Sequence, residues 1–561
     1  MKKKKIAVSS FGGLNEHSEK LGEAIEMVNL VVNDEGRLIK RREMKKLISL
    51  RGESVIASWE GTLRGIECIL FVTSGGFYKY LADAEAAIYL RPFFGERAEL
   101  FEFDEKVFIL SDVDLYCFDG GIVERVEGYS PVIAINTDSE GGCELYESAN
   151  MLTPRRRQRF STDGESKVLR LLEKEVESIF SVKHLGETLN SASYTFDAQA
   201  STVTLDTAFP KGENTIEVEY VASACKRAEL LGFKRASVFG GGNDTRVFLF
   251  GSDDDPSCRR HSEIGGGISR ADYFPENNFV SISGKVITSI IRHYDRQLIF
   301  CLDSTFYSID EIRQDSLGGY YHSFPVFALN SEKGHIGDND AVLIANEPVS
   351  VTYDGIYRWV STSVRDERNA IKISDAVSSI VLRFLGRRDE YRLMLFDDDL
   401  NSELWIKSGD EILVYNYGSR VWYFYNGIEF STFSRHFGKV LLGGSNGDLY
   451  CFEEGDGEVA IRYVSGESSL GDETSLKDVG RMVIGAGSKN GASLNIELVG
   501  DVGGADATHE LTLIGGKESE KFRRRIVFRR THRLGVSIDG VARDLTVSLM
   551  EFEFKERGRL F

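Results

Sequence analysis

The sequence predicts an all-β protein: a β-propeller with an inserted small β-sandwich domain and a C-terminal β-sandwich. Three observations lead there. Seven short segments share one form, an apolar run, a tight turn and a second run ending in an aromatic. Most of them recur near the ~40–50-residue repeat of a propeller blade. The 561 residues also carry 35 Phe and 22 Tyr against only 8 Pro, which suits pleated strands joined by turns.

The clearest copies run from Cys68 to Tyr80, Val107 to Phe118, Leu298 to Ile309, Leu404 to Tyr415 and Val440 to Phe452. Val247 to Phe250 and Val342 to Trp359 are looser copies. A β-branched or aromatic run, a Gly/Asp/Asn/Ser turn and a second such run make a β-hairpin. Taking Leu70, Phe108, Phe248, Ile299, Leu343, Trp405 and Leu441 as markers, the gaps are 38, 140, 51, 44, 62 and 36 residues. The long gap is the exception, and excising Val132 to Tyr220 restores a blade-sized spacing.

The chain then divides in order. Residues 1–50 form a turn-rich arm that wraps the body or closes the ring, with one short helix over Glu16 to Met27. Residues 51–131 and 223–457 are the two parts of the propeller. Residues 132–222 are the inserted β domain, marked by the alternating strands of Ser201 to Tyr220 around a Pro-Lys-Gly-Glu-Asn turn. Lys167 to Ile179 has helical propensity but reads as a strand followed by a turn, because its neighbours are strands. Residues 458–561 are the C-terminal sandwich, with strands at Ser493 to Val499, Glu510 to Ile514, Arg524 to Phe528 and Leu545 to Phe554, separated by the Gly-rich stretches Gly500 to Gly504 and Ile514 to Gly516.

Catalytic and metal motifs are missing from the sequence. The nine histidines form no H-x-x-x-H or H-E-x-x-H pair, and no Walker A loop occurs; Gly443 to Gly447 spells G-x-S-x-G only as the turn of the Val440 to Phe452 hairpin copy, with no helix behind it, and so makes no nucleophile elbow. Asp253 to Asp255 and Asp397 to Asp399 lack calcium-loop spacing and read as solvated turns. Gly240 to Gly242 and Gly265 to Gly267 lack the Lys-Ser/Thr or helix that phosphate cradling needs, and read as turns or tight packing. With 87 acidic residues, chance carboxylate pairs are inevitable, and none is singled out. No catalytic residue, metal site or cofactor is expected. The seven cysteines form no C-x-x-C pair and read as reduced thiols, four of them (Cys68, Cys117, Cys301, Cys451) in apolar runs.

Formal net charge is −19. So acidic a chain is a poor free DNA binder, though it can wall a conduit through which DNA slides. Two basic clusters stand against that background: Arg155, Arg156, Arg157 and Arg159, and then Lys521, Arg523, Arg524, Arg525, Arg529 and Arg530. Arg523 and Arg525 share one strand face and Arg524 takes the other. Arg523, Arg524, Arg525, Arg529 and Arg530 and, after them, Arg155, Arg156 and Arg157 are the candidate interface residues, as a docking face for an acidic partner or for phosphates; that reading is favoured for the late cluster, and charge balancing its neighbours for the early one. The opening Met1 to Val8 is basic but is followed by too short an apolar run for a signal peptide, and no run approaches the ~20 apolar residues of a spanning helix. Folding in a cytoplasm, without stable membrane insertion, is expected.

Several phrases carry a resemblance. Phe11 to Asn15, Gly22 to Asn29 and Gly36 to Arg42 resemble the opening of many bacteriophage structural proteins, with their F-x-G-L-N, G-x-A…N and G-x-L-x-x-R phrases. Asn150 to Arg156 and Phe160 to Gly164 resemble the inserted domain of phage "stabilization" proteins of the head–tail junction, and Tyr273 to Asn278 and Phe552 to Arg559 fit that type. The resemblance implies a non-enzymatic, propeller-based virion protein of the tail hub or nozzle kind. It would form a ring with copies of itself, six-fold being favoured, at the head–tail junction. It would contact portal or adaptor proteins and tail fibres, and pass viral double-stranded DNA without sequence preference. Two other readings stay open: a virion-associated propeller depolymerase, marked by a carboxylate pair ~5–10 Å apart in the central funnel, and a receptor-binding propeller using Trp359 and Trp422 as exposed anchors.

Overall fold

The computed structural model describes residues 3–50, 54–223, 225–240, 245–314, 319–362, 365–366, 368–436, 438–501 and 508–557. Nearly all of its regular structure is strand, with α-helix only at Arg227–Leu231 and Ser378–Gly386 among the described residues. Seven of the sheets are four-stranded antiparallel meanders. In chain order their leading hairpins are Val55–Leu63 with Ile66–Thr73, Ala98–Phe103 with Lys106–Ser111, and Arg235–Phe239 with Arg246–Phe250. Then come Ile287–His293 with Arg296–Cys301, Val342–Ile344 with Glu347–Thr352, Leu393–Asp398 with Glu403–Ser408, and Thr432–His436 with Lys439–Gly443. We call these modules one to seven.

Each second strand is largely buried, because it is covered on both faces. Leu70, Phe248, Ile299 and Trp405 are essentially inaccessible to solvent. Six of the seven repeat markers fall in second strands; Leu343 lies instead in the first strand of module five. There the Val342 run and the Val349 run are adjacent, and the earlier one carries the weaker burial. The leading strand of module seven lies beside that of module one, one beside two, two beside three, three beside four, and five beside six.

The arm, residues 3–50, does two jobs. Glu43–Ser49 pairs with Asp448–Glu453 and supplies the fourth strand of module seven. Lys4–Val8, Leu30–Val32 and Leu38–Lys40 join a six-stranded C-terminal sheet, and Ala24–Val28 joins a five-stranded one. The helix expected over Glu16 to Met27 is not formed. Residues 16–23 make turns, with Asn15, Ser18 and Lys20 side chains gathered on Glu23, and Ala24–Val28 pairs with Val459–Ser465. A strand partner more than 400 residues away outweighs the local helix propensity.

Between modules two and three, a six-stranded sheet built on Val132–Thr137, Arg155–Thr162, Val176–His184 and Gly212–Ala222 shares an apolar core with a three-stranded sheet. Val132–Thr137 and Arg155–Thr162 run parallel. The Lys167 to Ile179 stretch holds strand Val168–Arg170, a turn and the start of the strand at Val176. At the C-terminal end, Lys477–Ser488, Lys517–Thr531 and Thr546–Glu556 face Ala492–Gly500, His509–Leu513 and Leu534–Ala542 across a common core. Of the glycine stretches singled out above, Gly241, Gly242 and Asp501's neighbours 502–504 lie outside the described residues, as do residues 558–559.

Candidate functional site

The leading strands surround a cavity of about 580 Å³. Strands of modules one, two, three, four, six and seven line it, together with residues 336–339 that lead into module five. Its chemistry centres on Arg235, the first residue of module three. Arg235 makes an ion pair with Asp340 at 2.8 Å and lies 4.0 Å from Glu99. Burial opposes the charge on Arg235, but Asp340 and Glu99 more than offset it and raise its pKa. Burial, with Asp340 adding repulsion against the pull of Arg235, raises Glu99 to about 7.

Around this trio most polar groups are committed to the fold, while Arg388 Nε, Arg235 Nε and Asp340 Oδ1 are buried without a hydrogen-bond partner. Arg97 donates to the carbonyls of Leu231 and Phe233. Asp338 accepts from the Leu393 amide, and Asn339 brackets Leu395 through both ends of its amide. His335 is buried. Its Nδ1 accepts the Val351 amide proton, so Nε2 carries the hydrogen given to the Asn339 carbonyl, and burial lowers its pKa to about 4. Cavity side chains thus stitch modules two, three, five and six together.

Glu99 gives a pH signature. Its folded pKa stands above its ordinary value of 4.5, so folding favours its protonated form. That favours the fold below about 4.5 and is lost as pH rises through about 7. Glu99→Gln is expected to match wild type near pH 4.5 and to exceed it above pH 7, by on the order of 1–2 kcal/mol. Parallel melting curves of the two proteins across that range measure the difference, and a constant gap would refute the assignment.

The early arginine cluster is engaged by neighbouring groups, with Arg156 buried and Arg155, Arg157 and Arg159 part-exposed. Arg155 lies over Phe180 at 3.9 Å, and buried Arg156 donates to Glu173 and to the Thr153 carbonyl. Arg157 donates to the Ser130 carbonyl and the Tyr129 hydroxyl, and Arg159 pairs with Glu217 at 2.9 Å. The late cluster stands elsewhere, on Lys517–Thr531, the outermost strand of the six-stranded C-terminal sheet. Lys521, Arg523, Arg524, Arg525, Arg529 and Arg530 are exposed there. Cavity and arginine edge are separate features.

Two expectations change. Trp359 and Trp422 are buried core residues, not anchors; Trp359 donates to Ser350, and Trp422 packs on Tyr415. Asp397 to Asp399 is not a solvated turn. Asp398 is inaccessible to solvent and bound by Arg42 and Asn401, Asp399 pairs with Arg435, and burial raises Asp397, which accepts from Tyr417, to about 6. Asp253 keeps the expected solvated character, paired with Lys234. Gly265 to Gly267 is a tight turn against Tyr129, where a Cβ at Gly265 would lie 2.6 Å from the ring.

The phrases behind the phage resemblance are latches. A Cβ at Gly13 would fall 2.6 Å from the Trp422 carbonyl, which accepts from the Leu14 amide. Buried Arg41 donates to Asn29 and the Asn426 carbonyl. Asn150 donates to the Tyr129 and Asp272 carbonyls and accepts from the Phe274 amide, while Tyr273 donates to the Ser148 carbonyl. Position in the sequence gave no sign of the Arg235–Glu99–Asp340 trio, whose members come from three modules.

No protein-family model matches the chain, and no curated protein matches it. Among solved structures the chain is similar to the computationally designed Ika8 protein, with TM-score 0.31 and 11% identity over 73% of this chain and 99% of that one. It is similar to the extracellular domain of a protein described as a one component system from B. thetaiotaomicron, with TM-score 0.24 and 9% identity over 91% and 80%. It is also similar to an exo-beta-1,3-galactanase from Phanerochaete chrysosporium, with TM-score 0.17 and 10% identity over 83% and 98%. At these TM-scores the likenesses bear on neither site nor activity. Among the described residues no helix is long and apolar enough to cross a membrane.

Proposed function

We propose that this chain is a structural virion protein of a bacteriophage, a ring-forming tail hub or nozzle component that retains and conducts packaged DNA and anchors other tail parts. In this reading the seven modules are the blades of a closed propeller. The two-sheet units after module two and at the C-terminal end are β-sandwiches carried by it. Its partners are further copies of itself, portal or adaptor proteins and tail fibres, and its place is the head–tail junction.

The observation that carries the reading is the use made of the phage-like phrases. Gly13, Leu14, Arg41, Asn150 and Tyr273 all serve to lock the arm and the insertion onto the body. Phrases whose residues secure interlocked segments suit a rigid platform better than a reaction centre. The committed hydrogen bonds of the cavity point the same way. Purified protein viewed by negative stain and weighed by sedimentation is expected to give rings; a strict monomer at every concentration and salt would refute it.

A second reading, a glycan-cleaving depolymerase, is favoured by one observation: Glu99 holds a raised pKa at the cavity, with Asp340 on the same guanidinium. A general acid beside a second carboxylate is what glycoside hydrolysis uses. Turnover of host-surface glycans, abolished in Glu99→Gln, would establish it. Glycans left intact by the wild-type protein would remove it.

A further inference from the structure

Strand Lys517–Thr531 is the longest among the described residues, at 15 residues, and its outer edge has no strand partner among them. Alternation puts Lys521, Arg523, Arg525, Val527 and Arg529 on one exposed face. Ile526 and Phe528 on the other face are buried and fix the strand on the sheet. The nearby carboxylates are already engaged. Asp478 binds Arg557 and the Arg530 amide, Glu553 binds Lys3, and Glu551 binds Lys5 and Arg481. No carboxylate of the described residues pairs with Arg523, Arg524, Arg525, Arg529 or Arg530. A groove of about 340 Å³ runs beside the strand, with Lys3, Arg525, Arg529 and Lys555 among its lining.

We propose that this arginine edge is the surface by which one copy of the chain docks on an acidic surface of the next. The inference rests on the ring reading above and deepens it by naming the contact. Charge complementarity argues for it: the chain as a whole carries −19, so the rest of each copy is more acidic still once these cations are set apart. Val527, 61% exposed in the middle of the cations, gains from an apolar protein contact and nothing from a phosphate backbone. Like charges on a strand edge also block pairing of two such edges. The contact is therefore basic edge on acidic face; repeated head to tail it is heterologous, and such contacts form a ring when their rotation closes.

The test uses the full chain with Arg523→Glu, Arg525→Glu and Arg529→Glu combined, and a second variant with Gln at the same positions. Sedimentation at low and high salt reads self-association. Zero-length carbodiimide cross-linking of mixed heavy-isotope and ordinary protein reads the contact in the wild type, independent of how any variant folds. We expect the Glu variant to weaken association at least about tenfold, the Gln variant to weaken it less, and high salt to mimic the Gln variant. Isotope-mixed cross-links from Lys521 to an Asp or Glu of another copy are expected. Wild-type assembly that the Glu variant and the Lys521 cross-links leave untouched overturns the edge and spares the ring. A wild type that never assembles overturns both. Loss of short duplex DNA binding in the Glu variant with assembly intact assigns the edge to nucleic acid and overturns the proposal.

Discussion

Arg42→Ala is expected to destabilise the protein by about 3–5 kcal/mol, the cost of stripping the partner from buried carboxylates. Arg42 belongs to the N-terminal arm, and its guanidinium reaches into module six. It lies 3.1 Å from Asp398 and 2.9 Å from Glu403, with the Phe452 ring 5.0 Å beneath it. Asp398 is wholly inaccessible and Glu403 nearly so; Glu403 also accepts from the indole of Trp405. Burial already raises Glu403 above its ordinary pKa even with Arg42 in place. Without the arginine both carboxylates face burial unpaired, and the arm loses its grip beside the strand that completes module seven. Two companion measurements identify the cause. Asp398→Asn with Glu403→Gln should restore much of the loss in the Arg42→Ala background, because neutral amides need no counter-charge. The deficit should also narrow as pH falls, since Glu403, whose pKa burial raises, is neutralised by protonation. Chemical denaturation of wild type, Arg42→Ala and the triple variant at neutral and acid pH reads all of this; a loss under about 1 kcal/mol for Arg42→Ala would show that the arm is held elsewhere.

What the sequence made legible was local. Leu298 to Ile309 reads as a hairpin because its turn residues and its apolar runs are neighbours in the chain, and the strands Arg296–Cys301 and Thr305–Ser308 are there. Leu70, Ile299 and Leu441 occupy the same second position in their modules. What stayed hidden depends on distant partners. Glu43–Ser49 and Asp448–Glu453 are about 400 residues apart, and nothing in either says that they pair. Ala24–Val28 looks helical because Glu and Met favour helices, and only Val459–Ser465 makes it a strand. Lys477–Ser488, not among the strands expected of the C-terminal unit, contains Gly480, Gly485 and Gly487, a residue type that weakens a strand. It is nonetheless a central strand, flanked on both sides, and a Cβ at Gly485 would lie 3.0 Å from Leu549.

The candidate sites divide the same way. An Arg run such as Arg523 to Arg525 is visible in sequence, but its exposure is not, and the charge balance read for Arg155 to Arg157 takes its form only from the Phe180, Glu173 and Tyr129 contacts of the fold. The Arg235–Glu99–Asp340 trio could not be read at all. Glu99 is one of 87 acidic residues, and only the convergence of leading strands brings it to Arg235. Charge patterns show which residues are candidates, and burial decides which of them are left to meet a partner.

Gly334→Ala is expected to cost at least about 3 kcal/mol, through a backbone collision rather than through backbone freedom. A Cβ at Gly334 would sit 1.9 Å from the carbonyl oxygen of Cys301, with the Ser304 and Asp303 amides 2.9 and 3.0 Å away. None of these is a side chain that can swing aside. The Cys301 carbonyl accepts the His335 amide, and Thr305 donates to the Lys333 carbonyl, so the segment is clamped over the turn of module four. His335 then carries the strain onward: its carbonyl accepts from Thr288 in module four and its Nδ1 from Val351 in module five. Moving Gly334 away from Cys301 breaks the seam between the two modules. The matched control is Gly427→Ala, where φ is +68° and nothing lies within 4 Å of the added carbon, so only the backbone term of about 1 kcal/mol is at stake. Hydrogen exchange separates the two: faster exchange at Ile336 and Val351 is expected for Gly334→Ala and not for Gly427→Ala. Equal losses for both variants would mean that the seam yields, and that the closeness of Gly334 to Cys301 holds nothing in place. In sequence both glycines look like ordinary turn residues, and the difference between them lies wholly in what the chain brings alongside.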